Sequence, residues 1–302
     1  MRHLFFAAAL MLAGGGFANA QSCVEEAREV RPILSDAARI EYTSKLAEAK
    51  AVFAAKPNEA DSFIWLGRRT AYPGDNKGAI KIFTDGISKF PSDARFYRHR
   101  GHRLITLRCF DDAIADLEKA AKLIKGKADE VEPDGLPNAK NIPMSTLQSN
   151  IWYHLGLAYY VKADLKNALR AYRQAEKVST NNDMRVATGY WHYMTLRRLG
   201  KDADARRLLD RFAGAIDVIE NDDYLKLIKL NRGELKVDGL LASIQGDANT
   251  LGSASLGYGI GNYFLYNGDK EKARRIFQKI VDGNQWASFG YIAAEAELAR
   301  MK

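Results

Sequence analysis

The chain has 302 residues, a formal net charge of +8 and only two cysteines. Two cysteines are too few for a disulfide-dense scaffold, so packing has to supply the stability. The basic balance points to acidic partners.

Residues 1–20 read as a secretory leader. Arg2 and His3 precede an apolar run from Leu4 to Leu12, followed by Ala13 to Gly16 and an Ala18-Asn19-Ala20 cleavage site before Gln21. The run is too short to cross a bilayer, and no later stretch comes near the required length. Cleavage after Ala20 leaves a net charge of +7, Arg2 being the leader's only charged residue, in a periplasmic or secreted protein where nucleic acid is not an expected partner. Ala20-Gln21-Ser22 lacks the Leu-like residue that lipoprotein sites place three before the cysteine, so no lipid anchor is expected at Cys23. One disulfide between Cys23 and Cys109 is open to an exported chain, but unpaired thiols are the expectation, because spacing does not set geometry.

Residues 21–59 form an N-terminal segment and a capping helix. Tyr42, Leu46, Ala49 and Phe53 recur at i, i+4, i+7 and i+11, the stripe of an amphipathic helix that ends before Pro57. A fixed period follows. Gly67 and Gly101 are 34 residues apart, as are Ala79 and Ala113, while Gly156 and Ala168 each lie 55 further on, a period plus a shared insertion of 21. The insertion, residues 125–146, carries Gly126, Pro133, Gly135, Pro137 and Pro143, and a connection of that length is either functional or disordered.

Two units therefore occupy 60–124, and two more occupy 147–219. The third reads Trp152-x2-Leu155-Gly156-x2-Tyr159 and then Ala168-x3-Tyr172; the first reads Phe63, Leu66, Gly67, Ala79 and Phe83. Residues 220–253 form a degenerate unit with Gly239 at the alanine-like place, and 254–302 hold a last unit (Gly261, Ala273, Phe277) and a C-terminal cap. In that cap Phe289, Ile292, Ala293 and Ala296 make the stripe, with Glu295, Glu297 and Arg300 outside it.

These residues resemble the signature of the tetratricopeptide-repeat (TPR) family, W-x2-L-G-x2-Y followed by A-x3-F. The resemblance implies an all-α, TPR-type solenoid, a right-handed superhelix of helical hairpins with capping helices, because single hairpins cannot bury their apolar stripes alone. It further implies that the first helix of each unit lines a concave face that binds a protein or peptide without catalysis and without a cofactor, and that an exported bacterial member serves as an envelope adaptor. Carried onto this chain, the groove residues are Arg68 and Tyr72; Arg95, Arg98 and His102; Asn150, Tyr153 and Tyr160; and Tyr258 and Asn262.

The stretch Arg95 to Arg103 is the densest cationic run, and guanidinium forks with tyrosines suit an acidic peptide. The opposing reading is that individual arginines pair with acids on neighbouring helices. Arg98 and Asn150 stand near the places of a two-carboxylate clamp, but the rest of that set is missing. Two alternatives come from other classes: a metal or small molecule held by His99, His102 and His154, with His99 and His154 expected side by side, or an anionic glycan bound as an accessory of an envelope enzyme. His192 is expected to pack between helices. The acid pairs Asp111-Asp112 and Asp222-Asp223 read as helix caps.

Overall fold

The computed structural model describes residues 23–245 and 251–301; the leader and its cleavage site lie outside them. The helices are α1 (Asp36–Ala55), α2 (Ala60–Ala71), α3 (Asn76–Lys89), α4 (Ala94–Thr106), α5 (Phe110–Leu123), α6 (Leu147–Val161), α7 (Leu165–Val178), α8 (Asn182–Arg198), α9 (Asp202–Asp210), α10 (Asp222–Asn231), α11 (Val237–Gln245), α12 (Leu251–Tyr266), α13 (Lys270–Val281) and α14 (Phe289–Arg300). The pairs α2/α3, α4/α5, α6/α7, α8/α9 and α12/α13 are hairpins that stack in chain order, giving an all-α, TPR-type solenoid.

One packing device recurs in four of the hairpins. A Cβ placed on Gly67, Gly156 or Gly261 would stand 2.4, 2.6 or 2.3 Å from the ring of Phe83, Tyr172 or Phe277, and one on Gly101 would stand 2.8 Å from Leu117. Each partner lies sixteen residues after its glycine. The aromatic or leucine of the second helix thus sits directly on the backbone of the first, which only glycine permits. Seven residues after the same glycines come Gly74, Arg108, Ala163 and Gly268, with φ of 97°, 66°, 64° and 90°. The hairpin turn demands a left-handed residue there, so Arg108 and Ala163 accept a Cβ clash that glycine would avoid. Asp75, Asp164 and Asp269 then cap the second helices.

Several expectations need correction. Asp111-Asp112 and Asp222-Asp223 occupy first turns, with Cys109 and Asn221 at the cap positions, so they act on the helix dipole rather than as caps. Gly239 is exposed with nothing near its missing Cβ, so it is not at a helix crossing. The thiols are not free: Cys23 and Cys109 are disulfide-bonded, Cα to Cα 5.9 Å, across a sequence separation of 86. The bond ties the N-terminal segment to the turn between α4 and α5. Along the way Glu29 accepts the Lys77 backbone N–H at 2.8 Å.

The solenoid closes on itself. Arg108 Nε donates to Glu295 of α14 at 2.8 Å, Nη2 donates to the Trp286 carbonyl at 3.0 Å, and the guanidinium lies 4.0 Å over the Trp286 ring. Arg300 Nη1 donates to the Val161 carbonyl at 2.8 Å. Helix α14 is therefore not a half-polar outer cap. Glu297, expected outside the stripe, is 4% exposed and pairs with Arg198 and Arg300, each at 2.9 Å.

Candidate partner-binding site

The expected groove residues separate into three groups. Four of them are sealed from solvent. Tyr153, Tyr160, Tyr258 and Asn262 are buried, because α14 and the C-terminal hairpins close over the concave side of α6. Tyr160 meets Tyr258 and Tyr266 hydroxyl to hydroxyl at 3.0 and 3.3 Å, Tyr153 meets Tyr224 at 3.4 Å, and the Asn262 amide donates to the Tyr258 carbonyl at 3.2 Å. Burial pushes the Tyr153 and Tyr258 phenols well above their ordinary range. These side chains hold the superhelix shut and offer no surface to a partner.

Arg95 has a different fate. It forks onto Asp93 and reaches Asp61 at 2.6 Å, and the Asp93 hydrogen bond raises its pKa. Its charge is spent within the protein. So is that of Arg100, which is bidentate to Asp116 at 2.7 Å. Arg100 thus pairs with a neighbouring helix, whereas Arg95 does so only through Asp61, Asp93 being the cap of its own helix.

The remaining residues, Arg68, Tyr72, Arg98, His102 and Asn150, converge on one trough between α2, α4 and α6. The insertion folds into it. Val131 bridges to Thr146, the Glu132 N–H donates to the Ser145 carbonyl at 3.0 Å, and the Leu147 N–H donates to the Glu130 carbonyl at 2.9 Å, so residues 130–132 run extended along the trough. That path delivers the Glu132 side chain to Arg98 Nη2 at 2.9 Å and to the Asn150 amide at 3.1 Å, with both ions of the Arg98 pair about a tenth exposed or less. Arg68 Nη2 and Arg69 Nη1 donate to the Pro133 and Gly135 carbonyls, both at 2.8 Å, and the Tyr72 hydroxyl packs against Gly135. Glu132 carried no periodicity or motif in the sequence; only its place beside Pro133 in a long connection marked it.

The three histidines are not a metal-ligand set. Arg98 Nη1 donates to His99 Nδ1 at 3.1 Å and lies 3.5 Å from His102 Nδ1, so a cation stands where a metal would. His154 Nδ1 donates to the Asn150 carbonyl at 2.5 Å. His99 stacks on Phe83 rather than on His154; His102 is the ring beside His154, at 4.4 Å. Burial first, and the neighbouring guanidiniums after it, hold all three imidazoles well below their ordinary pKa. Phe289 closes the C-terminal end of the trough, 5.3 Å from His102 and 5.4 Å from His154. His192 is buried between helices beside Glu176 at 3.1 Å.

Among the described residues no helix is long and apolar enough to cross a membrane. No family model and no curated protein matches the chain. Among solved structures it is similar to a tetratricopeptide repeat protein from Parabacteroides merdae (14% identity, 94% of this chain and 100% of that one, TM-score 0.48). PilF of Pseudomonas aeruginosa is also similar (14% identity, 93% and 96%, TM-score 0.47). So is YrrB, described as a TPR protein with an unusual peptide-binding site (16% identity, 82% and 97%, TM-score 0.44).

Proposed function

We propose that the chain is an exported, non-catalytic interaction scaffold that receives an acidic, extended segment of a partner protein in the trough between α2, α4 and α6. The observation that carries this reading is the seating of Glu132. The chain lays its own extended acidic strand along the trough and hands a carboxylate to Arg98 and Asn150. A trough that accepts this segment has the chemistry to accept another like it, with main-chain carbonyls taken by Arg68 and Arg69 and a carboxylate by Arg98. The engagement of His99, His102 and His154 with Arg98 and a backbone carbonyl supports a structural rather than a catalytic part for them. Export is supported by the leader-like N-terminus and by the Cys23–Cys109 bond, since such bonds persist in oxidising compartments. On both grounds an envelope adaptor is the role we propose.

The insertion competes with any partner at the high effective concentration of a tethered ligand. The test therefore removes it: residues 129–142 are replaced by a short Gly/Ser linker, and Glu132→Gln serves as a milder second variant. A labelled peptide with the sequence of residues 128–136 is titrated into each. We expect the linker variant to bind it about tenfold or more tighter than the unmodified chain, with Glu132→Gln between the two. Equal affinity for all three folded proteins, or binding to none, refutes the reading.

A further inference from the structure

The insertion does not fill the trough. A cavity of about 110 Å³ remains beside Glu132, lined by Arg68, Arg98, Arg103, His99 and His102 among others. That is room for a group of a few non-hydrogen atoms, the liquid share of one water being about 30 Å³. Arg68, His102 and Arg103 keep part of their surface in solvent, so the space is reachable.

The charges around the cavity do not balance. Three guanidiniums face it and one carboxylate, Glu132, answers them. Arg98 takes that carboxylate, yet its Nε is buried without a hydrogen-bond partner, and the residue is only 7% exposed. Arg68 points its donors at two neutral oxygens, the Pro133 carbonyl and the Tyr72 hydroxyl. No hydrogen bond or ion pair joins the Arg103 guanidinium to another described residue. Burial pushes Arg103 down to about 10, and Arg98 and Arg68 push in the same direction while Tyr72 opposes them. Arg98 is the buried member of the three, and a buried cation with an unmet donor is costly, because lost hydration is returned only by hydrogen bonds and counter-charge.

The histidines do not supply it. His99 and His102 turn their Nδ1 atoms to Arg98 Nη1 and are neutral, and His154 lies behind His102. Asp134 approaches Arg68 but is not part of the cavity wall. Within the cavity wall, three guanidiniums against one carboxylate leave two positive charges, with Asp134 offsetting part of that on Arg68 from outside.

We infer that this cavity is a binding site for a single phosphate-type dianion, held by Arg103, by Arg98 Nε and by the remaining donor of Arg68. A carboxylate would answer one of the two excess charges. A phosphomonoester carries close to two at neutral pH and presents three acceptor oxygens, which guanidiniums contact in pairs, and inorganic phosphate is drawn to its dianion beside them. Sulfate shares the chemistry. The ligand is thus either the free ion or a phosphomonoester.

The site shares Arg98 with the proposed peptide trough and rests on reading that trough as an anion receptor, but the two fail separately. Inorganic phosphate is titrated into the full chain by calorimetry, with the imidazole proton signals of His99 and His102 as reporters of place and acetate as the monoanion control. We expect saturable one-to-one binding that shifts those two signals, is weakened about tenfold or more in Arg103→Gln, and exceeds acetate by a similar factor. Arg95→Gln, outside the cavity, leaves it unchanged. Should Arg103→Gln fail to fold, Arg68→Gln is read in its place. Glycerol 3-phosphate separates the sources: tighter than phosphate assigns a phosphomonoester, weaker assigns the free ion. No saturable phosphate binding, binding that survives loss of Arg103, or acetate equal to phosphate overturns the inference. Acidic-peptide binding to the linker variant alongside absent phosphate binding sinks this site and leaves the scaffold reading standing.

Discussion

The first two units and the later ones place the same row of the repeat in different surroundings. Three residues before the packing glycine stand Ile64, Arg98, Tyr153 and Tyr258, and one residue after it stand Arg68, His102, Leu157 and Asn262. In the earlier row all four are buried; in the later row Arg68 and His102 are half-buried whereas Leu157 and Asn262 are fully buried. The local hairpin is alike in these units, so the difference comes from what lies across the concave side. Units one and two face the charged insertion and keep arginines and histidines. Unit three and the last unit face each other through α14 and use tyrosines, whose hydroxyls find partners among themselves. A repeat fixes where a side chain points, and the closure of the superhelix decides whether anything outside can reach it.

The contrast can be broken most severely on the charged side. Glu132→Ala strips Arg98 of its counter-charge in a buried place, and losing one partner of such a pair costs about 3–5 kcal/mol. Tyr258→Phe, on the tyrosine side, removes hydrogen bonds to Tyr160 and Glu297 and costs about 1 kcal/mol. Urea unfolding of both variants measures the gap, and equal losses would remove the distinction. Next comes the staple of the N-terminal half. Cys23→Ser with Cys109→Ser opens a loop spanning a separation of 86 residues and is expected to cost about 2–4 kcal/mol by the same measurement.

What the two regions share is the glycine packing. Gly261→Val drives carbon into the Phe277 ring and is expected to cost about 1–3 kcal/mol. Gly239→Val, with nothing within contact distance, stays within about 0.5 kcal/mol. If the two lose alike, the repeat geometry is misassigned. The smallest effect is with pH. His99, His102 and His154 titrate lower in the folded chain than the unfolded value of about 6.5, so the unfolded state takes up more protons as pH falls below that value. Their contribution is complete above about pH 6.5 and is lost on acidification. Tm followed by circular dichroism should decline from pH 7.5 to 5.5; a flat or rising Tm over that interval argues against neutral buried imidazoles in the trough.

The hairpins were legible because their packing is local. Gly67, Gly101, Gly156 and Gly261 and their partners sixteen residues on obey one rule within one unit, so spacing alone reveals them. The candidate site was half legible. Arg68, Tyr72, Arg98, His102 and Asn150 meet where the repeat register puts them, but Tyr153, Tyr160, Tyr258 and Asn262 are sealed by contacts between distant units that no period encodes. Glu132 was hidden for the same reason: its role depends on where a non-repeating connection folds. The disulfide and the burial of Glu297 likewise depend on segments meeting across long stretches of chain.

Closure of the superhelix is the claim on which the burial pattern, the shaped trough and its cavity all depend. Arg108 and Glu295, 187 residues apart in sequence, touch only if the last unit reaches back to the second. A double-mutant cycle with Arg108→Ala and Glu295→Ala, read by urea unfolding, addresses that contact directly. A favourable coupling energy of about 0.5–1 kcal/mol or more is predicted for this half-buried pair; strict additivity of the two losses would mean that the ends do not meet and that the concave face stands open.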